Sequence, residues 1–496
     1  MKIKYLLSVI AIVAFTEDSF AQYSQDAIRF STFQTGSTSR IKAIGNAGTA
    51  VGGDLSSISG NPAGLGFFTH SEVSITPEYN GSKVNSTYLG QFGTDSKNNL
   101  NFSNASVAIY QRLNTPKGRD KTKGWLSINY GAAYSRTNNF YENITYGGKN
   151  ASNSIGNYYA DIANASVNAN GQLSEGGLDD WAYQQNLIDN YSITGGGTEY
   201  RRNAFGTVDQ LSNTIRTGGQ SEVNLAFGAN YSNKLYLGLG VSLSDIRYNS
   251  YSVFNETGNA NILVNNIGTD VGFNSGFVQD QITKGSGGNV KLGLIYKPVN
   301  ALRLGVTVTS PTFYTIDDSY DESLSTKFNN GSNFSNGPQD YSLSYNMRTP
   351  FKFTGGAAIF IGKYGFISGD IDYIDYTTTH ISSNDSYTAD FDNGNIKALY
   401  RSTVNARVGA EARLNSMFYL RGGYSIQGSP LKQNGSDIKT VTGGIGVRFG
   451  SYYVDATYAH LSGNQTVYPY EIGAASPSAA LKKTNNNAFL TLGYAF

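Results

Sequence analysis

From Leu235 to Ser244 the chain alternates without interruption. Leu235, Leu237, Leu239, Val241 and Leu243 fall on one face, and Tyr236, Gly238, Gly240, Ser242 and Ser244 on the other. Successive side chains of a strand point to opposite sides, so this period of two specifies an extended segment with one apolar and one polar-or-small face. The same pattern returns at Leu302, Leu304, Val306 and Val308, and again at Val404, Ala406, Val408 and Ala410. Such a segment must cover its apolar face with a protein core or with lipid. In a sandwich that face points inward, and in a membrane barrel it points outward while the polar face lines the lumen.

The remaining sequence favours lipid. Lys2 and Lys4 precede an apolar run from Tyr5 to Phe15, and small residues at Ser19 and Ala21 follow. This is the pattern of a secretory signal peptide over residues 1–21, with cleavage expected after Ala21. No later stretch holds eighteen unbroken apolar residues, so no membrane helix is expected. The 58 Gly, 36 Tyr and 26 Phe, with few charges, suit a barrel wall with aromatic girdles. The absence of Cys excludes disulfides, lipid attachment through an N-terminal Cys and thiolate metal sites. A formal net charge of +1 gives no reason to expect a nucleic-acid partner.

The final segment, FLTLGYAF, places Leu490, Leu492, Tyr494 and Phe496 on one face. It resembles the terminal signal read by the bacterial barrel-insertion machinery, which is an expected partner during assembly. The expected fold is all-β: a transmembrane antiparallel barrel of about 14 strands in the outer membrane of a Gram-negative bacterium, surrounded by its lipids and monomeric. The strands are expected near 71–80, 102–112, 124–136, 220–232, 234–251, 287–297, 301–315, 340–361, 365–382, 398–412, 416–427, 438–449, 451–462 and 485–496. The segment 340–361 counts as one strand despite Pro350, because proline is tolerated at bulges. Short turns near 233, 298–300, 362–364, 413–415 and 450 then alternate with long connections at 81–101, 137–219, 252–286, 316–339 and 463–484. Short turns are periplasmic and long loops extracellular in such barrels.

A lumen of this width is not filled by wall side chains alone. Residues 22–68 precede the barrel domain, 69–496, and are expected inside it as a hatch. Their stretch GNAGTAVGGDLSSISGNPAGLGFF, Gly45 to Phe68, is rich in small residues that permit close approach to a wall and frequent changes of direction. This stretch, after a signal peptide and before an aromatic-ended barrel, resembles the FadL/TodX family of outer-membrane transporters for hydrophobic compounds. The triplet Asn61-Pro62-Ala63 carries the resemblance most specifically, and the richness in Asn, Ser and Tyr is similar to Bacteroidetes members. The resemblance implies uptake of long-chain fatty acids or aromatic hydrocarbons, capture in a groove of extracellular loops, hatch movement, and lateral release at a kinked third strand. Asn61, Pro62, Ala63, Gly64, Leu65, Phe67 and Phe68 are the expected gating residues.

Ligand contacts are expected in the loops. In 137–219, Leu178, Trp181, Ala182, Gln185 and Ile188 share a helical face. In 252–286, Phe254, Phe273 and Phe277 are unusually apolar for a loop; the plainer reading is that they pack loops on each other. For an anionic head group the lumen offers Lys291, Arg303, Arg407, Arg421 and Arg448. Arg407 and Arg421 are symmetric about residue 414, which sets them opposite or diagonal with an anion between. Asp370, Asp372 and Glu411 also face the lumen, so an internal salt-bridge network is the simpler expectation. The lateral exit is expected in 125–135, where Gly131, Ala132 and Ala133 carry little bulk. The three histidines are scattered and no Ser-His-Asp spacing, HExxH or P-loop occurs. No enzyme activity, metal or cofactor is expected, and ligand spacing does not support haem uptake. The alternative function is an outer-membrane barrel for protein secretion or cargo docking.

Overall fold

The structure is a computed structural model and describes residues 22–32, 34–114, 120–168, 170–193, 197–264 and 267–496. The expected signal peptide lies outside the described residues. Fourteen strands close into one antiparallel barrel. The first strand, Glu72–Tyr88, pairs with the last, Ala479–Ala495, from Glu72 opposite Ala495 to Tyr88 opposite Ala479. Ser71 and Phe496 exchange backbone N–H···O bonds of 2.9 and 3.1 Å, so the terminal aromatic finishes this seam. Closure removes the edge that an open sheet would leave unpaired.

The apolar faces point out. Leu243, Leu292, Val306 and Ile445 are 51–65% exposed, while Ser244, Asn224, Thr307 and Asp455 on the other face are buried. This separates the barrel from a sandwich, whose core would hold the leucines. Aromatic rings gather at the end that holds the short turns: Trp125 against Tyr231, and Phe449, Tyr452, Tyr494 and Phe496 in one row. No helix among the described residues is long and apolar enough to cross a membrane.

Three expected loops are largely strand, among them 316–339, which holds most of Phe313–Phe328 and Asn333–Asp340. Residues 81–101 continue the first strand to Tyr88 and begin the second at Gln91, with a turn at Leu89–Gly90. Residues 252–286 extend the fifth strand to Val264 and begin the sixth at Ile267, giving the hairpin Leu235–Val264 and Ile267–Val299. Their apolar residues keep the period of two, with Phe254 opposite Phe277 and Ala260 opposite Val271. The 137–219 connection holds the continuation of the third strand at Glu142–Asn150, helices Ile155–Ser166 and Leu178–Gln184, and a short hairpin, Ile188–Ser192 with Thr198–Arg202.

Three expected strands are broken at one level. The seventh stops at Thr309 and resumes at Phe313, around Pro311. The eighth, expected unbroken over 340–361, stops at Arg348 and resumes at Lys352, around Pro350. The ninth ends at Asp375, turns over Tyr376–Thr378 and resumes at His380. Proline supplies no N–H to a ladder, and Thr312 and Thr349 bridge the first two breaks instead. The tenth strand starts at Ser402 rather than 398, because Asp385 caps a helix, Ser386–Leu399, that occupies the residues before it.

Candidate functional site

The hatch fills the lumen. Thr38, Asp54 and Asn61 each precede a short helical turn: Ser39–Ala43, Leu55–Ile58 and Pro62–Phe67. Asp54 accepts the Ser56 N–H at 2.9 Å, and Asn61 accepts the Ala63 N–H at 3.1 Å. Pro62 then opens its turn at the one position where a missing N–H costs nothing. The Asn61 amide donates to Thr49 O at 2.8 Å, tying the bend to the rest of the hatch.

Wall glycines receive this bend. Gly228, Gly238 and Gly293 stand in one cross-strand row on the fourth, fifth and sixth strands. A β-carbon at any of them would overlap Asn61, Pro62 or Ala63. Gly305, Gly409 and Gly423 likewise leave room for Thr49, Ile44 and Gly45. Beyond the bend, Leu65 and Phe68 pack with Leu55 and Ile58 on Ala108, Ala133 and Ala226. Phe67 stacks on Tyr236 with centroids 3.7 Å apart, and Arg303 lies between Phe67 and Phe360 at 4.2 and 3.9 Å. Gly64 takes the Gly53 N–H on its carbonyl at 3.0 Å.

Most hatch anchors are polar. Arg40 donates to Glu411 at 2.8 and 3.1 Å. Thr49 donates its N–H and hydroxyl to Asp370 at 2.9 and 2.7 Å, and Lys291 donates to Ser59 O at 3.0 Å. Ser39 donates its N–H to Thr491 at 2.8 Å. Arg40 and Asp54 are two of the five charges in residues 22–68, a signal that sequence reasoning left unused. Between hatch and wall a cavity of about 60 Å³ is lined by Thr49, Asn61, Glu222, Lys291, Lys352 and Arg407. It has the room and the partners for water.

Four of the five expected head-group cations are engaged in ion pairs, and the fifth, Arg303, bonds the Val51 carbonyl instead. Arg407 and Lys352 hold Asp372, and Lys291 meets Glu222 at 3.0 Å. Arg421 bonds Glu411 and Asp455 at 2.6 Å each, and Arg448 reaches Asp455 at 2.9 Å. The symmetry argument for Arg407 and Arg421 fails. The connection spans 414–417, which sets Arg421 opposite Glu411 and Arg407 opposite Ser425. The two arginines belong to different pairs.

The expected loop aromatics do converge. Trp181, Phe254, Phe273 and Phe277 share one buried cluster with Tyr159, Leu324 and Phe328, at the end of the barrel away from the short turns. The helix carrying Leu178, Trp181 and Ala182 ends at Gln184, so Gln185 caps it and Ile188 begins a strand. Buried Glu256 fastens this cap, accepting Ser154 Oγ at 2.5 Å, the Ile155 N–H at 3.0 Å and Gln210 at 2.7 Å.

The wall has a gap elsewhere than expected. Residues 127–135 are paired on both sides, and Gly131 and Ala133 lie under the hatch. The expected exit there is closed. The ladder between second and third strands runs from Arg112–Ser127 to Asn104–Ser135 and stops. The second strand continues to Gln91 against the first alone. The third shifts register at Arg136–Asn138, and its continuation pairs with the fourth. Side chains rejoin the two edges higher up, where Asn143 donates to Ser96 O at 3.5 Å and Thr145 to Asp95 at 2.8 Å. Between lies a window where Asn99, Asn101, Ser103, Arg136, Asn139 and Asn143 each bury a polar atom without a partner. The hatch reaches its inner side: Gln34 N–H donates to Thr137 O, and Asn138 donates to Thr32 O, both at 3.0 Å. Pairing between distant segments creates this window, and no local sequence signal marks it.

A closed barrel of fourteen strands with an apolar exterior and its own N-terminal segment packed inside defines a plugged transmembrane barrel. Its fold is that of the FadL/TodX proteins. It superposes on a crystal structure of a Pseudomonas aeruginosa FadL homologue with a TM-score of 0.54 at 10% identity, covering 94% of this chain and 99% of that one. On the P. putida toluene transporter TodX the TM-score is 0.51 at 14% identity, covering 92% and 98%. No family model and no curated protein matches the sequence.

Proposed function

We propose that this chain takes up hydrophobic small molecules, such as long-chain fatty acids, across a Gram-negative outer membrane. The observation that carries the reading is the interrupted ladder above Asn104 and Ser135. In lipid every backbone group needs a partner, so a wall that leaves one strand edge unpaired, with polar side chains around it, keeps a lateral route at a standing cost. The cap around Trp181, Phe254, Phe273 and Phe277 supplies the apolar capture surface. The hatch from Gln34 to Phe68 blocks the lumen below, and Thr32 and Gln34 touch the window edge. Ligand arriving from the cap displaces these two residues, frees the edge at Thr137–Asn138 and leaves sideways into lipid. Arg407 and Arg421 hold the wall rather than the cargo, since buried carboxylates already neutralise both.

Native mass spectrometry of the detergent-purified protein tests this together with fluorescent fatty-acid uptake by expressing cells. A bound amphiphile and saturable uptake are expected. A protein that carries no amphiphile and gives no uptake above cells lacking it would overturn the reading in favour of secretion or cargo docking.

A further inference from the structure

The outer face of the barrel is not uniform. Across the eleventh to fourteenth strands and the first, it dips into a shallow, open groove of about 730 Å³ whose lining includes Tyr79, Leu420, Gly443, Ala456, Tyr458 and Leu490. Register explains the groove. Gly443 stands opposite Gly422 on one side and Tyr458 on the other, and Tyr458 stands opposite Ala488. Small outward residues therefore form a floor between larger ones. A side chain at Gly443 would enter open space.

Directly along the same strands, towards the end that carries the cap, the outward residues become polar. His460 and Tyr458 both bond Asn486, at 2.8 and 2.6 Å. The next row runs Lys439, Ser462, Thr484, Lys83 in register, and Lys482 sits between Asn464 and Asn85 one step further. Lys83, Lys439 and Lys482 are exposed, and none has an ion-pair partner among the described residues. The nearest acid along the strand, Asp437, accepts the Ser429 N–H at 2.9 Å. Two other exposed cations on the exterior do have acids beside them: Arg247 has Asp245 at 3.4 Å, and Lys284 has Asp317 opposite. Lys439 and Lys83 are three strand spacings apart, roughly 14 Å at ~4.8 Å each. Each lies four residues, again about 14 Å, beyond the groove residues Gly443 and Tyr79.

We infer that this face is a docking site for an anionic, phosphate-bearing lipid of the outer leaflet, its phosphates on Lys83, Lys439 and Lys482 and its acyl chains in the groove over Gly443, Ala456 and Ala488. The charge is complementary, and the lysines stand about one acyl-chain length from the groove floor. Lysines at a membrane surface attract anionic head groups, and a concave apolar floor adds contact area that a convex wall lacks. The site rests on the placement of the chain in an outer membrane and is independent of uptake.

The experiment is native mass spectrometry of the full-length barrel in detergent with added diphosphoryl lipid A, its dephosphorylated form, or phosphatidylglycerol. The wild-type protein retains diphosphoryl lipid A at one per chain, and the dephosphorylated form is lost. The triple variant Lys83→Gln, Lys439→Gln, Lys482→Gln lowers retention by roughly tenfold or more, as does Gly443→Leu, which fills the floor. Both variants should keep heat-modifiable migration and fatty-acid uptake, so a failed transport reading would not touch this result. Equal retention by the variants, equal retention of the dephosphorylated lipid, or preference for phosphatidylglycerol would each overturn the inference.

Discussion

The lumen is closed twice, and the two closures are built from different chemistry. The hatch lies against glycines and a small apolar patch at Leu65 and Phe68, and its ties to the wall are mostly hydrogen bonds and ion pairs: Arg40 to Glu411, Thr49 to Asp370, Lys291 to Ser59. The cap is an interdigitated aromatic cluster, with Tyr159 on Phe277 at 6.3 Å and Phe273 on Phe328 at 6.5 Å. A polar contact in a lumen can exchange with water, at a net cost of about 1.5–3 kcal/mol where one partner is charged, as in these three. Removing a buried Phe costs about 3–5 kcal/mol. The contrast bears on the proposed movement: the polar ties of the hatch can exchange partners with water, whereas the cap loses its contacts unless another apolar surface replaces them.

Deleting residues 23–60 breaks the comparison most severely. The strands keep their pairing, because the ladder bonds lie within the wall. The cap is then the remaining closure, and single-channel conductance in planar bilayers should rise several-fold whenever the cap opens, since a barrel of this size is wider than its own side chains fill. Antibiotic sensitivity of the cells should rise with it. A deletion variant that inserts normally and conducts no more than wild type would show that the segment is no plug.

The cap is the next test. Replacing Phe273 and Phe277 with Asp buries two charges in an apolar cluster and should open it, at a cost of several kcal/mol. Fluorescent fatty-acid binding should fall, while hatch-controlled conductance stays at the wild-type level. Binding that survives would place capture elsewhere.

The smallest effect is a pH dependence of hatch docking. Helix Gln22–Ser31 meets the helix Ser386–Leu399, where Asp392 accepts the Ser24 N–H at 2.9 Å. Burial pushes the Asp392 carboxyl up to about 7, with Asp26 adding to the rise. Asp318, Tyr23, Tyr345 and Arg29 also face this cluster. A raised carboxyl pKa means that the docked state binds the proton more tightly than the free helix does. Docking is thus strongest at acid pH and weakens as pH rises from about 4 through about 7. Hydrogen exchange in residues 22–31, corrected for intrinsic rates, should be slower at pH 5.5 than at pH 8, and Asp392→Asn should flatten the difference. An unchanged pH dependence in that variant would remove Asp392 from the account.

Much of the wall was legible because a period of two is a local property. Leu235 to Ser244 announces its two faces whatever it pairs with. The bend was legible too, since Asn61 and Pro62 act on their own backbone. Register was not. Arg421 meets Glu411 because the connection after Arg413 holds four residues, one more than the three read from sequence, and 252–286 passed for a loop because its partner strand is itself. The glycine row at 228, 238 and 293 means nothing until three strands are aligned. The window is invisible for the same reason, being an absence of pairing between segments distant in sequence, such as those of Asn101 and Asn139.

The central claim is that cargo leaves through that window, and a reversible staple tests it most directly. The chain has no Cys, so Asn101→Cys with Asn139→Cys places a unique thiol on each edge of the gap, and a disulfide-containing bis-maleimide can join them. Stapled cells should lose fluorescent fatty-acid uptake to the level of cells lacking the protein and regain it when reductant cleaves the linker, with ligand binding unchanged throughout. Uptake that continues at the wild-type rate with the window stapled would contradict the account.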